Sequence, residues 1–436
     1  MLTPRGVHRQ ATESDSNLNE IVFLRVKHIE AAMPCRLIYP SGSTGPEIDG
    51  QSRQWLVAAR SVVEVPSIAI AEHSNRAGPG AERRCGGNPE PRKRGNMSSM
   101  ILDTAEKIFT RNANVLSPGT FDVVHWTEVE ASGFTLALLA EEAGGFGLSA
   151  GDATSILRVS AKHASRLPLA ETMLANWLLA DSGLPIANGV TTIALVDALP
   201  SENCRSVVAT RVPWARASGA VVVVALDGRI GSFDSPRIVA HGMNFAGEAR
   251  DDIELVWSEE ISKAKAPRRF ETYLALCALL RVIGLAGSAE AALKLSVEYA
   301  NDRVQFGRPI GRNQVIQHQL AIMASHVAAS TAAADMAATA FPLVLTDEDR
   351  FKTIVASAKI RAGEAAGICA SIAHQVHGAI GITEEYRLHN LTKQLWSWRD
   401  EYGNEAFWSE VLADQMLSMK TPSPWQFLSR EAVHVD

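Results

Sequence analysis

From about residue 269 onward the sequence is filled by long runs with apolar residues at helical spacing. They are Arg269 to Arg303, Gln314 to Phe341, Glu348 to His377, and a final pair around Arg387 to Arg399 and Glu405 to Met419. Helices this long, joined by short connections, have few ways to bury their apolar stripes other than an antiparallel bundle. Upstream the period changes. "GVTTIALVDAL", "RSVVATRVPWARASGAVVVVALDGRIGSF", "SPRIVA" and "DDIELVWSE" are short β-branched runs bounded by Gly, Asp, Ser and Pro. That pattern predicts strands of a small β domain over about Val190 to Trp257. Before them, "ILDTAEKIFTRNA", "TEVEASGFTLALLAEEA", "AGDATSILRVSAKHASR" and "LAETMLANWLLADSG" return to helical spacing. The expected fold is mainly α with a small central β domain, in the order all-α, small β, all-α.

Domain limits follow from these switches: an N-terminal helical domain over 97–187, a reduced middle β domain over 188–265 and a C-terminal helical bundle over 266–436. Residues 1–96 have a different texture. "YPSGSTGPEIDGQSRQ" and "NRAGPGAERRCGGNPEPRKRG" are polar, rich in Gly and Pro and without sustained periodicity, so a disordered extension is expected there. Met97 and Met100 stand where the globular pattern begins, which suggests a natural start at that point. The basic cluster Arg92, Lys93, Arg94 reads as solvated charge.

Composition narrows the function classes. With 46% hydrophobic and 21% charged residues and a net charge of −6, the chain is not built as a nucleic-acid binder or an acidic tail. Five cysteines, scattered singly without a CxxC, argue against a disulfide framework and for a reducing, cytoplasmic setting. The apolar runs Tyr273 to Ala292 and Ala328 to Leu345 carry Arg281 and Glu290, or Asp335, and read as buried bundle helices rather than membrane spans. The first residues lack the pattern of a signal peptide.

One stretch is not explained by packing. "EYANDRVQFGRPIGRNQVIQHQLA" breaks a helix at a Phe-Gly-Arg-Pro turn and displays Arg303, Arg308 and Arg312 before the next helix begins. Taken alone, Arg303 would pair with Asp302 or Glu298. A second segment, "HQVHGAIGITEEYRLHNL", carries His374 and His377, but no carboxylate or cysteine at ligand spacing joins them, so no metal site is expected. There is no GxGxxG after a strand.

These two segments, in a chain ordered α, β, α, resemble the acyl-CoA dehydrogenase family of flavoproteins. The resemblance extends more weakly over Ile101 to Met419, including "LAEEAGGFGLSAGDA" and "LPLAETMLANWLLADSGLP". It implies FAD extended between the β domain and the bundle, with its pyrophosphate and adenine contacted by a neighbouring subunit, and hence a homo- or hetero-oligomer. Arg303 then meets the pyrophosphate with arginine's planar fork. Gln305 and Phe306 line the dinucleotide, Gly307 and Pro309 shape the turn, and Gln314 hydrogen-bonds from the next helix. Gln375, Val376 and Gly378 receive the adenosine end.

The reaction implied is FAD-dependent α,β-dehydrogenation of an acyl-CoA to the trans-2-enoyl-CoA, with electrons passed to an electron-transfer flavoprotein. It needs a carboxylate base opposite the flavin N5. At the helix position some members use, this chain has Cys277 and Ala278. In "WSWRDEYGNEAFW" an ungapped comparison puts Tyr402 at the loop position, with Glu401 one residue before it. Glu401 is the candidate base, with Asp400 or a partner's residue as alternatives and a solvated loop residue as the plain reading.

Two departures stand out. Gly378 is followed by Ala379 rather than a second glycine, and "VTTIALVDALPSENC" replaces the Thr-Glu-Pro-Gly-x-Gly-Ser flavin loop. The reduced β domain resembles small subunits of dehydrogenases for steroid side chains and other unusual acyl-CoAs, some of which work only as mixed αβ assemblies. The alternatives are therefore a non-catalytic or half-site subunit of a heteromeric acyl-CoA dehydrogenase, or a flavin-dependent monooxygenase on the same fold.

Overall fold

The computed structural model describes residues 90–111, 117–202, 204–258, 261–418 and 423–425. Among the described residues four helices come first: α1 (Glu90–Arg111), α2 (Val123–Ala131), α3 (Ala150–Lys162) and α4 (Leu169–Asp181). Their starts follow local chemistry. Asp122 accepts from the His125 amide at 3.0 Å to begin α2, and Ser149 accepts from the Asp152 amide at 3.1 Å to begin α3. Helix α1 starts upstream of Met97, so the boundary expected there falls inside a helix. The extension expected over 1–96 otherwise lies outside the described residues.

Seven strands follow: β1 (Thr191–Val196), β2 (Ser206–Pro213), β3 (Ala220–Ala225), β4 (Arg229–Asp234), β5 (Arg237–Ala240), β6 (Arg250–Val256) and β7 (Ser262–Lys265). They form a four-stranded sheet in the order β1-β3-β4-β7 and a three-stranded sheet in the order β2-β6-β5. The β1–β3 pair is parallel, Thr191 opposite Ala220, and the other pairs are antiparallel. Strand β3 explains its own sequence, "AVVVVA". Val222 and Val224 face the helical core, while Val221, Val223 and Ala225 fill the space between the sheets. A strand buried on both faces has no polar alternation to show.

The bundle contains α5 (Phe270–Asp302), α6 (Gln314–Thr339), α7 (Glu348–His377), α8 (Leu388–Asp400) and α9 (Glu405–Ser418), with the two-residue strands β8 (Val304–Gln305) and β9 (Arg308–Pro309) between α5 and α6. Helix α5 is central and packs on α3, α6, α7 and α8. Two glycines let its neighbours approach. A Cβ on Gly287 would lie 2.4 Å from the Arg158 carbonyl oxygen of α3, and one on Gly284 would lie 2.7 Å from the Trp398 ring of α8.

Among the described residues three helical segments are long and apolar enough to cross a membrane, but 89% of the α5 window is already buried inside the protein. The same measure is only 28% for α6. Its alanine-rich outer face is therefore left uncovered, unlike the buried helix the sequence predicts for that region.

Candidate functional site

The expected cofactor residues and the expected base lie in two different settings. The first is a hairpin. Gln305 pairs with Arg308 across a two-residue turn, and the turn residues Phe306 and Gly307 have φ of 51° and 78°. Left-handed backbone at both central positions is the turn that matches strand twist. Glycine adopts it freely, whereas phenylalanine is strained there. Phe306 is nonetheless 101% exposed. Arg303, Gln305 and Gln314 are exposed as well. Backbone bonds anchor the hairpin, Arg303 N–H to Tyr299 O at 2.9 Å and Ile310 N–H to Arg303 O at 2.8 Å. Among the described residues the Arg303 guanidinium has no ion-pair partner, and Glu298 approaches Lys294 instead, at 3.9 Å.

The "HQVHG" segment closes α7. Gln375 and Gly378 are exposed, and Gly378 has φ 64° with nothing within 4 Å of where a Cβ would stand. Val376 differs, because its side chain is buried at 4% exposure, so it offers outside groups its backbone only. The His377 ring stacks on Tyr299 with centroids 4.5 Å apart and leans on Tyr386 at 5.0 Å. This aromatic stack ties the base of the hairpin to the Gln375–Gly378 turn, a role the sequence reading did not give to the histidine. Nδ1 of His377 lies 2.8 Å from the Ala373 carbonyl, which can only accept, so the proton is on Nδ1. Burial lowers the pKa of this imidazole.

Glu401 sits elsewhere, at the C-terminal end of α8, 8% exposed. Arg250 donates to its two oxygens from Nε at 2.9 Å and Nη2 at 3.0 Å, Arg281 donates from Nε at 2.7 Å, and Asn244 Nδ2 at 3.0 Å. The network continues outward. Arg281 Nη2 reaches Glu171 at 2.6 Å, and Glu248 accepts from Arg250 at 2.8 Å, Asn244 at 2.7 Å and the Trp398 indole at 2.9 Å. Arg166 also stands beside Glu248. Three cations thus face three carboxylates, which is how buried charge is tolerated. Burial alone would raise the pKa of Glu401, yet Arg250 and Arg281 hold it at about 2. A general base needs an affinity for protons near the working pH and a free lone pair aimed at substrate. Glu401 has neither in this arrangement. Of its neighbours, Asp400 has its pKa raised by burial, and Tyr402 is a phenol whose pKa burial pushes further up.

The space beside this network is small. A cavity of about 30 Å³ is lined by Leu157, Leu169, Trp214, Leu280, Arg281 and Trp398 among others. That holds a water molecule or two, not an acyl chain. Cys277, near enough to Arg281 and Glu171 to feel their charges, is a buried thiol with its pKa pushed up to about 12, mainly by burial.

The network has a pH signature. A carboxylate depressed in the folded state contributes stability above its unfolded pKa and loses it as pH falls through the folded value. For Glu401 that window runs from 4.5 down to about 2. At roughly 1.4 kcal/mol per pKa unit the loss approaches about 3 kcal/mol. Urea unfolding at pH 5 and pH 2.5 should show it, and equal midpoints at the two pH values would remove Glu401 from the stability account.

Residues 269–417 match the family model described as acyl-CoA dehydrogenase, C-terminal domain. The acyl-CoA dehydrogenase IpdE2 of Mycobacterium tuberculosis is 28% identical over 316 residues, covering 70% of this chain and 91% of the relative. Glutaryl-CoA dehydrogenase of Desulfococcus multivorans is 42% identical over 105 residues, but this spans only 24% of this chain and 26% of the relative. Among solved structures, the Tcur3481-Tcur3483 steroid ACAD has a TM-score of 0.67 at 22% identity, covering 75% of this chain and 99% of that one. The ChsE4-ChsE5 complex from Mycobacterium tuberculosis gives 0.62 at 20% identity, with 78% and 99% covered. At such identities the structures speak for the fold.

Proposed function

We propose that this chain, whose residues 269–417 match the C-terminal domain of the acyl-CoA dehydrogenase family and whose fold is that of its members, is a half-site subunit of an FAD-dependent acyl-CoA dehydrogenase. It presents its hairpin to FAD shared with a homologous partner chain, and the partner supplies the base. The observation that carries this reading is a contrast within one chain. Apart from the buried Val376, the expected cofactor residues stand exposed, and among the described residues Arg303 has no ion-pair partner, while the position for base and acyl group is closed by buried ion pairs.

The residues fit the dinucleotide. The Arg303 guanidinium offers a fixed charge and two parallel donors to a pyrophosphate. Gln305 and Gln314 supply amides, Phe306 gains cover for a ring that is otherwise fully in water, and the open side of Gly378 lets a nucleotide lie close to backbone. Bound FAD supplies the hydride acceptor. In this assembly the chain's own part is to bind and orient the cofactor's phosphate and adenosine end, and to exclude water from it. The uncovered face of α6 gives the partner a surface to close on. Two of the similar structures are named as pairs of chains, Tcur3481-Tcur3483 and ChsE4-ChsE5, which supports a heteromeric partner. The substrate is an acyl-CoA thioester, the product its trans-2-enoyl form, and the electrons pass to an electron-transfer flavoprotein.

The test is the visible spectrum of the purified chain, alone and after mixing with a homologous partner, with and without anaerobic acyl-CoA. A colourless chain that gains a flavin band only in the mixture, bleached by acyl-CoA, is the expected result. A chain that holds flavin alone and bleaches with substrate would instead be an autonomous dehydrogenase. Oxygen consumption with reduced flavin and no acyl-CoA would mark the monooxygenase.

A further inference from the structure

Three aromatic rings meet where the two expected cofactor segments leave their helices. Tyr299 lies in the last turn of α5, His377 is the last residue of α7, and Tyr386 stands in the connection shortly before α8. The Tyr299 and His377 rings stack with centroids 4.5 Å apart and planes 23° apart, and Tyr386 closes the triangle at 5.0 Å from His377 and 6.0 Å from Tyr299. Both helix ends carry the backbone that the cofactor reading uses. The Tyr299 carbonyl accepts the Arg303 amide at 2.9 Å, so the hairpin hangs from the residue that bears the first ring. On α7 the Gly378 amide returns to His374 O, and the chain folds back until a Cβ on Gly381 would stand 2.9 Å from the His377 Cβ.

We propose that Tyr299, His377 and Tyr386 are positioning residues, a stacked splint that holds the 304–309 hairpin and the 375–378 turn at one fixed spacing, so that a single dinucleotide meets both. That one dinucleotide spans both segments rests on the shared-FAD reading above, whereas the splint is a property of this chain alone.

Helices α5 and α7 pack on one another, but helix ends open locally at little cost. The hairpin and the turn begin at those ends. A cofactor bound across two segments that move separately must order both, and its affinity falls by that cost. A ring stack spanning the two ends does the ordering in advance, because an aromatic pair is held by the relative placing of its faces as well as by the area it buries. The imidazole serves here as a ring. Its Nδ1 donates to the Ala373 carbonyl of its own helix, and its Nε2 is buried with no partner among the described residues. An unpaired buried nitrogen costs stability. The polar atoms of His377 therefore do not explain its place, while its flat face against Tyr299 does.

Hydrogen exchange on the whole chain without cofactor reads the splint. In Tyr299→Ala, peptides covering 374–386 should exchange about tenfold faster, the size expected for one aromatic pair, although the substitution lies on α5. In His377→Ala, peptides covering 299–313 should do the same. Packing lost at one helix end alone would loosen only the segment that carries the substitution, and that result would overturn the splint. Tyr299→Phe keeps the ring and should leave both segments as in wild type. Should an alanine variant fail to fold, Tyr299→Leu keeps apolar bulk without the flat face and should give the same change across the helices. Flavin fluorescence during titration of the chain mixed with a homologous partner reads the consequence, with retention about tenfold weaker for Tyr299→Ala and unchanged for Tyr299→Phe. Equal retention by Tyr299→Ala and wild type would overturn the positioning role and leave the shared FAD standing. A wild-type mixture without flavin would instead sink the shared-FAD reading, and exchange across the helices would still decide the splint.

Discussion

Arg281→Met lowers the folding stability of the chain by about 3–5 kcal/mol, the range for removing one member of a buried charge network. Arg281 is 4% exposed and donates to Glu171 on one side and Glu401 on the other. Methionine matches the length of the aliphatic stem but leaves two carboxylates short of a partner in a site with room for no more than a water molecule or two. The cost is the penalty of the orphaned charges rather than the worth of the pairs. Replacing Arg281 and Glu171 together with apolar residues of similar size should recover most of the loss, because Arg250 keeps both Glu401 and Glu248. Denaturant midpoints for the single and double variants check both statements. A single variant within about 1 kcal/mol of wild type, close to the range of ordinary surface substitutions, would mean that water reaches the network.

Arg303→Ala weakens flavin retention by the assembled complex by about 10–100-fold, the size expected when charge-assisted hydrogen bonds to a phosphate are lost. It leaves the melting temperature of the isolated chain unchanged, since the side chain is exposed and makes no ion pair among the described residues. The loss should grow less marked with added salt, as the competing screening already weakens the wild type. Flavin fluorescence during titration of the complex measures this. Equal retention by wild type and variant would show that the hairpin is not directed at the cofactor and would undo the half-site reading. Arg303→Lys should restore part of the affinity through its charge, though not the paired geometry.

Much of the architecture was legible because it is written in local periodicity. The run expected from Glu348 to His377 is α7 itself, Glu348–His377, and that expected from Arg269 to Arg303 is α5, Phe270–Asp302. The turn at Phe-Gly-Arg-Pro is likewise local chemistry, while the two-residue strands that make it a hairpin came only with the structure. The parallel pairing of β1 with β3 was not legible, because β2 lies between them in the chain and period alone does not say which strands pair. Nor was the burial of Val376, one residue from the exposed Gln375 on the same helix, since the choice depends on which face the bundle covers.

By itself the sequence determined the order of the main helices and strands, the arginine-bearing turn and the family likeness, all of which rest on residues close together in the chain. Only the tertiary structure decided the character of Glu401. Its neighbours come from α5, β6 and the loop carrying Asn244, more than a hundred residues away: the separations are 120 to Arg281, 151 to Arg250 and 157 to Asn244. A carboxylate's proton affinity is set by the charges and donors around it and by the water it has lost. None of these is a property of the residues beside it in sequence. The same side chain that reads as a base in "RDEYGN" is, once folded, the centre of a buried clamp.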